Sequence, residues 1–232
     1  MSPPFAAVSS IHSERSLLEP HGGANEPGAD VAIYALKPAF RRALSPIGRV
    51  LVRTGGPADA VTRAGVAFAA TGGLGVFLGR HGGPWLLLVP AAALLRTAAN
   101  ALDGWIAGET KTGRPIGEVL NETADRVADV AMFLPLALVP GVSGILVAST
   151  IAAMMTVSFL GVVVKAAGGS RIYAGIMGKP DRMFVVGIAA IVAVFTEPAQ
   201  AFSVALWVTL SGSMITLVQR AVLVRRELGP RS

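Results

Sequence analysis

Six long apolar runs constrain the fold of this chain more than any other feature. They lie near residues 60–80, 84–107, 117–140, 143–165, 183–197 and 201–223, with glycine, proline or charged residues between them. About 20 apolar residues can cross a bilayer as a helix, and a helix satisfies its own backbone hydrogen bonds in lipid. Because 53% of the 232 residues are hydrophobic and only 15% are charged, we predict an all-α, polytopic membrane protein with six transmembrane helices over residues 60–225.

The residues before the first apolar run divide into two parts. Residues 1–30 are rich in Pro, Gly, Ser and Glu and lack helical periodicity, so we predict a disordered cytosolic tail. In residues 31–55, apolar residues recur at steps of three and four with basic residues between them, which predicts an amphipathic helix at the membrane interface. Pro38 and Pro46 are expected to kink or split this helix. Residues 31–232 then form a single membrane domain.

Basic residues are concentrated in alternate connections between the runs, and this asymmetry predicts the orientation of the bundle. They occur before the first run, between the second and third, between the fourth and fifth, and after the sixth. The positive-inside rule places these connections and both termini in the cytosol, for a multi-pass protein of the inner (cytoplasmic) membrane. The net charge of +6 is too modest and dispersed to indicate nucleic acid, but it suits the lipid bilayer and acidic substrates.

Carboxylates and carboxamides interrupt the second and third runs. The second run carries four residues on or beside one helix face: Asn100, Asp103, Gly104 and Ala107. The third run carries four residues at intervals of four, on one stripe: Gly117, Asn121, Asp125 and Asp129. An ionisable group at membrane depth costs roughly 2.5–3.5 kcal/mol on insertion scales, so the cluster is expected to face a polar cavity, a partner or a metal.

The residue types of this cluster indicate metal chemistry. Side-chain oxygens that converge from two helices suit hard divalent cations such as Mg²⁺ or Mn²⁺. The sequence has no cysteine, and none of its three histidines is near the cluster, so oxygen atoms are the natural ligands. Glycine at positions 104 and 117 would let a bulky ligand lie against the backbone. The sequence therefore predicts a metal-assisted phosphate site.

The same residues resemble the signature of the CDP-alcohol phosphatidyltransferase (CDP-alcohol phosphotransferase) family. That signature is D-x2-D-G-x2-A-R, about eight residues, and then G-x3-D-x3-D. This chain aligns with it without a gap as N-x2-D-G-x2-A-G-x8-G-x3-N-x3-D. Asn100 and Asn121 stand in place of two aspartates, and Gly108 stands in place of the arginine. The family also has an amphipathic interfacial helix, six spans and a site that faces the cytosol.

The resemblance implies phospholipid biosynthesis. A CDP-alcohol donor, typically CDP-diacylglycerol, would pass a substituted phosphate to a small alcohol acceptor and release CMP, with Mg²⁺ or Mn²⁺ as cofactor and a homodimer as the assembly. In family terms the metal ligands would be Asn100, Asp103, Asn121 and Asp125, and Asp125 would also be the catalytic base. The residues that bind CDP would be Asp103, Gly104, Ala107 and Gly117, with Lys111 and Arg114 as substitutes for the missing arginine.

The two asparagines keep oxygen donors but remove two negative charges from the site. Glu122 or Asp129 would then supply a compensating carboxylate, so Asp129 is a further candidate ligand. The alternatives are that only one cation binds tightly, or that the protein is a catalytically weak or repurposed relative. A transporter that uses intramembrane carboxylates is the alternative from another class, although its usual inverted repeats are not evident.

A second basic segment connects the fourth and fifth runs. Arg171, Lys179 and Arg182 are predicted to bind a phosphate on the acceptor, because guanidinium and ammonium groups recognise phosphate. The alternative is that they only anchor the topology. The GKPDRM piece resembles an element of phosphatidylglycerol-phosphate synthases, which favours glycerol 3-phosphate or another polyol phosphate. Inositol phosphate, serine or an unphosphorylated alcohol would leave a similar signature. Arg96, one turn before Asn100, would either reach the nucleotide or pair with Glu118 or Asp129, and we prefer the ion pair. Arg126 is predicted to pair with Glu122.

Overall fold

The computed structural model describes residues 32–55, 58–110 and 115–228. The predicted tail and the predicted CDP-binding residues Lys111 and Arg114 lie outside these ranges. The described part contains helices and no strands. Its seven α-helices are α1 (Ala32–Arg53), α2 (Ala58–Leu78), α3 (Leu88–Glu109), α4 (Pro115–Phe133), α5 (Gly144–Ala166), α6 (Lys179–Phe195) and α7 (Pro198–Leu228). The all-helical prediction is thus confirmed.

Each of the six apolar runs corresponds to one of the helices α2 to α7. Four helical segments in the described ranges are long and apolar enough to cross a membrane: Ala58–Leu78, Pro84–Glu109, Gly144–Ala166 and Pro198–Leu228. Helix α4 carries five charged residues, and α6 has only 17 residues. Four spans are therefore supported by length and composition, while the crossing of the bilayer by α4 and α6 stays a prediction.

Local sequence explains where several helices begin and end. Short 3₁₀ turns, Pro84–Leu87 and Leu134–Leu138, precede α3 and follow α4. The second turn includes Pro135, which lacks the backbone N–H that a continuing α-helix needs. Ser143 caps α5, since its hydroxyl accepts a hydrogen bond from the backbone N–H of Leu146 at 3.3 Å. Gly168, with a φ of +89°, follows the last turn of α5 in the left-handed conformation that favours glycine.

Helix α1 is continuous through Pro38 and Pro46, so the predicted split at these prolines is not observed. It lies against α3, because a Cβ atom on the buried Gly48 would overlap the ring of Trp105. Ile47 is exposed on α1. The position of this helix at a membrane interface stays a prediction.

Small residues bring α2, α3 and α4 close together. A Cβ atom on Gly72 would lie 2.6 Å from the side chain of Met132 and 3.1 Å from Ala92, and one on Gly73 would overlap the backbone carbonyl of Ala131. Small residues therefore permit close approach of these helices. Helix α6 packs against α3 and α7, and α5 packs against α7. The apolar core between them includes Val76, Leu86, Met132, Phe133, Met154, Val186 and Leu206.

Polar contacts show which helix ends lie at the same end of the bundle. Thr62 in the first turns of α2 contacts Asp103 near the end of α3, and Lys165 at the end of α5 contacts Glu118 in the first turn of α4. Arg220, late in α7, donates to the backbone carbonyl of Ala174 just before α6. The starts of α2, α4 and α6 and the ends of α3, α5 and α7 therefore lie together.

Candidate active site

Asp103 forms the α3 side of the site. Its carboxylate is buried and accepts a hydrogen bond of 2.9 Å from the hydroxyl of Thr62 on α2. One turn earlier on α2, Asp59 lies near α4, since its Oδ1 atom would be 3.9 Å from a Cβ on Gly117. Helix α2 is thus a third wall of a site that the sequence indicated only on α3 and α4. Nothing in the local sequence around Thr62 indicates its partner, which lies 41 residues away.

Asp125 forms the α4 side, and its carboxylate accepts hydrogen bonds from side chains of two other helices, α3 and α6. Its buried Oδ1 accepts from Asn100 Nδ2 at 3.1 Å and from Arg96 Nη2 at 3.4 Å, both on α3. Its Oδ2 contacts Nζ of Lys179, the first residue of α6. The predicted base is therefore bound to a residue that was predicted to hold the acceptor.

Asp129 lies one turn further along α4 and is fully buried. Its Oδ1 is 3.2 Å from Nη2 of Arg96, and its Oδ2 is 3.0 Å from Nη1 of Arg182 on α6. The same Arg96 nitrogen donates to the backbone carbonyl of Asp125 at 3.1 Å. The predicted Arg96–Asp129 pair is confirmed. The Asp129 carboxylate is thus paired with two guanidinium groups from two different helices.

Glu122 meets the connection between α5 and α6. It pairs with Arg126 at 2.6 Å, as predicted, and it contacts Arg171. The guanidinium of Arg171 lies 4.8 Å from the centre of the Tyr173 ring. Lys179 Nζ is 4.0 Å from the same Glu122 carboxylate. A basic residue of the segment 171–182 therefore faces each of three α4 carboxylates: Arg171 with Glu122, Lys179 with Asp125, and Arg182 with Asp129.

The glycines of the predicted donor site adjoin open space. A Cβ atom on the exposed Gly104 would meet nothing within 4 Å. Gly117, Ala107 and Asn121 are half-buried on the same part of α3 and α4. A ligand can thus approach the α3 backbone beside Asp103 without displacing a side chain.

The donor set suits a hard divalent cation in its chemistry, since Asn100, Asp103, Asn121 and Asp125 offer only amide and carboxylate oxygens as ligand atoms. Within residues 32–55, 58–110 and 115–228, however, no three His, Cys, Asp or Glu side chains converge in a way that would hold a metal ion. The carboxylates meet basic side chains instead. A metal at Asp125 would therefore have to compete with the ammonium group of Lys179.

Curated relatives of this chain are membrane and lipid-synthesis proteins. The chain is 33% identical to the inner membrane protein YnbA of Escherichia coli over 159 residues, which is 68% of the chain and 78% of that protein. It is 32% identical to the phosphatidylinositol phosphate synthase of Mycolicibacterium smegmatis over 200 residues, which is 82% of the chain and 87% of that protein. No protein-family model matches the chain.

Solved structures of a phosphatidylinositol phosphate synthase are similar to this chain in fold and sequence. The phosphatidylinositol phosphate synthase of Mycobacterium tuberculosis with CDP-DAG bound superposes with a TM-score of 0.67 at 28% identity, over 82% of this chain and 98% of that one. The same synthase in complex with manganese and citrate gives a TM-score of 0.66 over 81% of this chain. At this level of identity and coverage, the chain belongs to the CDP-alcohol phosphatidyltransferase family.

Proposed function

We propose that this protein is a membrane enzyme of phospholipid biosynthesis that transfers the phosphatidyl group of CDP-diacylglycerol to an alcohol and releases CMP. The observation that supports this best is the pair of buried carboxylates, Asp103 on α3 and Asp125 on α4, which lie close enough to interact electrostatically, with open space beside Gly104. The CDP-DAG complex of the mycobacterial synthase, which has the same fold, supports CDP-diacylglycerol as the donor.

Asn100, Asp103, Asn121 and Asp125 would hold Mg²⁺ or Mn²⁺, and the manganese complex of the mycobacterial synthase supports this cofactor. When bound, the cation would neutralise charge on the diphosphate and on the departing CMP. Asp125 would also accept the proton of the acceptor hydroxyl. The further candidate ligand, Asp129, contacts Arg96 and Arg182 through its two oxygens, so these contacts support a structural role for it.

The donor nucleotide would lie along the open side of the α3–α4 pair. Gly104, Ala107 and Gly117 would let the CDP group approach the helix backbones, while Asp103 would hold the cation against the diphosphate. Lys111 and Arg114 belong to the connection between α3 and α4, outside the described ranges. We propose that they replace the cation missing at Gly108, because the diphosphate carries negative charge that a nearby basic group stabilises.

Inositol phosphate is the acceptor that the named relatives favour, because several of them are phosphatidylinositol phosphate synthases. This preference replaces glycerol 3-phosphate, which rested on a short resemblance. Arg171 and Lys179 would bind the acceptor phosphate, since their side chains are 19% and 26% exposed at the end of the bundle. The side chain of Arg182 is only 1% exposed and pairs with Asp129, so we propose that it affects the acceptor site through Asp129 and does not bind the acceptor phosphate directly.

We further propose that the protein lies in the inner membrane as a homodimer, with both termini and the site in the cytosol. The inner membrane relative of Escherichia coli supports the location. The basic residues at the ends of α5 and α7, namely Lys165, Arg220, Arg225 and Arg226, lie at the same end of the bundle as the site, which supports the orientation.

The test is a transfer assay with purified protein, CDP-diacylglycerol, Mg²⁺ or Mn²⁺, and a panel of acceptors: inositol phosphate, glycerol 3-phosphate, inositol and serine. We expect CMP and a lipid of the mass of phosphatidylinositol phosphate with the first acceptor. Release of CMP with a different acceptor would support the transferase activity but contradict inositol phosphate as the acceptor. Release of no CMP with any acceptor would reject the enzyme in favour of a repurposed relative. Substrate flux across vesicles without CMP would indicate a transporter.

A further inference from the structure

Lys179 occupies a position between the two substrate sites proposed above. Its ammonium group contacts Oδ2 of Asp125 and lies 4.0 Å from Glu122, which itself contacts Arg171. Asp125 belongs to the proposed metal site, whereas Lys179 and Arg171 belong to the proposed acceptor site. The Lys179 side chain therefore links Asp125, a proposed ligand of the cation, with the proposed binding site of the acceptor phosphate.

The charge of the cluster explains why Lys179 can take this position. Three carboxylates on α4, Glu122, Asp125 and Asp129, form ion pairs with five basic side chains, Arg96, Arg126, Arg171, Lys179 and Arg182. Asparagine at positions 100 and 121 removes two further negative charges. The protein thus compensates its own carboxylates, and a divalent cation has to compete with a basic side chain for them.

Lys179 is the basic group that can leave Asp125. Arg96 is almost completely buried and is also held by Asp129 and by the backbone carbonyl of Asp125. The side chain of Lys179 is 26% exposed and extends from the first residue of α6. Its four-carbon chain rotates easily, and an ammonium group binds phosphate as well as carboxylate. Departure of Lys179 would free Oδ2 of Asp125 while Arg96 and Asn100 still hold Oδ1.

We propose that Lys179 couples the two sites: its ammonium group competes with a divalent cation for Oδ2 of Asp125, and an acceptor phosphate that captures the ammonium group opens Asp125 to the cation. This inference rests on the proposed function. Coupling between sites is reciprocal, so a bound cation would in turn release Lys179 for the acceptor phosphate. The enzyme would then assemble its metal site most fully when the acceptor is present.

The test is a titration with Mn²⁺ alone, in which electron paramagnetic resonance reports free Mn²⁺, with and without inorganic phosphate. The proteins are the wild type, Lys179→Met, Lys165→Met and Asp103→Asn. Lys165 is the matched control, because it is a lysine at the same end of the bundle that pairs with the exposed Glu118. Blanks without protein correct for Mn²⁺ that phosphate binds in solution.

We expect Lys179→Met to bind Mn²⁺ about tenfold more tightly than the wild type, within the usual range for coupled sites. Phosphate should tighten Mn²⁺ binding in the wild type and in Lys165→Met, but not in Lys179→Met. Asp103→Asn should bind Mn²⁺ weakly in every condition. If Lys179→Met does not fold, Lys179→Gln and the phosphate titration of the wild type give the same information.

Two results would overturn the coupling, and they are distinguishable. Mn²⁺ binding that depends on Asp103 but is unchanged or weaker in Lys179→Met would overturn the inference and leave the proposed function intact. Absence of Mn²⁺ binding in all the proteins, with and without phosphate, would overturn the proposed metal site together with the inference.

Discussion

Arg182 of α6 and Asp129 of α4 form an ion pair of 3.0 Å in which the two side chains are 1% and 0% exposed. The other oxygen of Asp129 is paired with Arg96 of α3. The carboxylate therefore connects three helices next to the proposed site. Breaking a buried ion pair by removing one partner leaves an uncompensated charge, so this pair is expected to matter for stability.

We predict that Asp129→Asn destabilises the protein by about 3–5 kcal/mol, because two buried guanidinium groups lose their charged partner. The measurement is thermal unfolding of the purified protein in detergent. The control is Glu118→Gln, which removes the pair between Lys165 and Glu118, whose side chains are 51% and 45% exposed. An exposed pair contributes at most about 1 kcal/mol. Equal losses in the two variants would contradict a structural role for Asp129.

Asp103→Asn is predicted to keep the fold and to lower turnover by a factor of about 100 or more, since it removes a charged ligand from a metal-assisted site. The amide oxygen can still accept the hydrogen bond of Thr62. Turnover is measured as CMP release, and thermal unfolding shows whether the bundle is intact. Wild-type turnover in this variant would remove Asp103 from the site.

Restoring aspartate at positions 100 and 121 is predicted to strengthen metal binding. The double variant Asn100→Asp/Asn121→Asp adds two carboxylates beside Asp103 and Asp125, and an extra charged ligand raises affinity for a divalent cation. Calorimetric titration with Mn²⁺ measures this affinity and its stoichiometry. Thr123→Asp is the control, because Thr123 is exposed on the same helix. Unchanged affinity in the double variant would indicate Glu122 or Asp129 as the ligand instead.

Gly104→Ala tests where the donor lies. The added methyl group meets no atom within 4 Å in the protein itself, and alanine favours a helix interior over glycine by about 1 kcal/mol. We therefore predict equal or higher stability together with a raised KM for CDP-diacylglycerol. Gly144→Ala, at the opposite end of the bundle and also next to open space, should leave KM unchanged. A donor KM that is also unchanged in Gly104→Ala would place the nucleotide elsewhere.

Each apolar run predicted one helix, because glycine, proline or charged residues separate the runs. The third run was predicted to extend to residue 140, whereas α4 ends at Phe133 and Pro135 lies in the 3₁₀ turn that follows. The sequence also predicted an ion pair of Arg96 with either Glu118 or Asp129, and the structure shows the pair with Asp129. The continuity of α1 was not predicted, since tertiary contacts such as that of Gly48 with Trp105 override the local effect of proline.

The details of the charged site could not be predicted, because they depend on how distant helices pack. The sequence around Thr62 does not indicate that its hydroxyl contacts Asp103. Lys179 was assigned to the acceptor from its charge, and only the packing of α6 against α3 brings it to Asp125 of α4. Spacing along one helix reveals which residues share a face, but it does not reveal which residue of another helix meets them.

We propose that oxygen ligands on α3 and α4 promote the displacement of CMP from a CDP-linked lipid. The most direct measurement is CMP release from CDP-diacylglycerol and inositol phosphate, in wild-type protein and in Asp125→Asn, with Mn²⁺ and then with excess chelator. We predict release that requires both the metal and Asp125. CMP release that persists with chelator or in Asp125→Asn would contradict a metal-dependent transfer that uses Asp125.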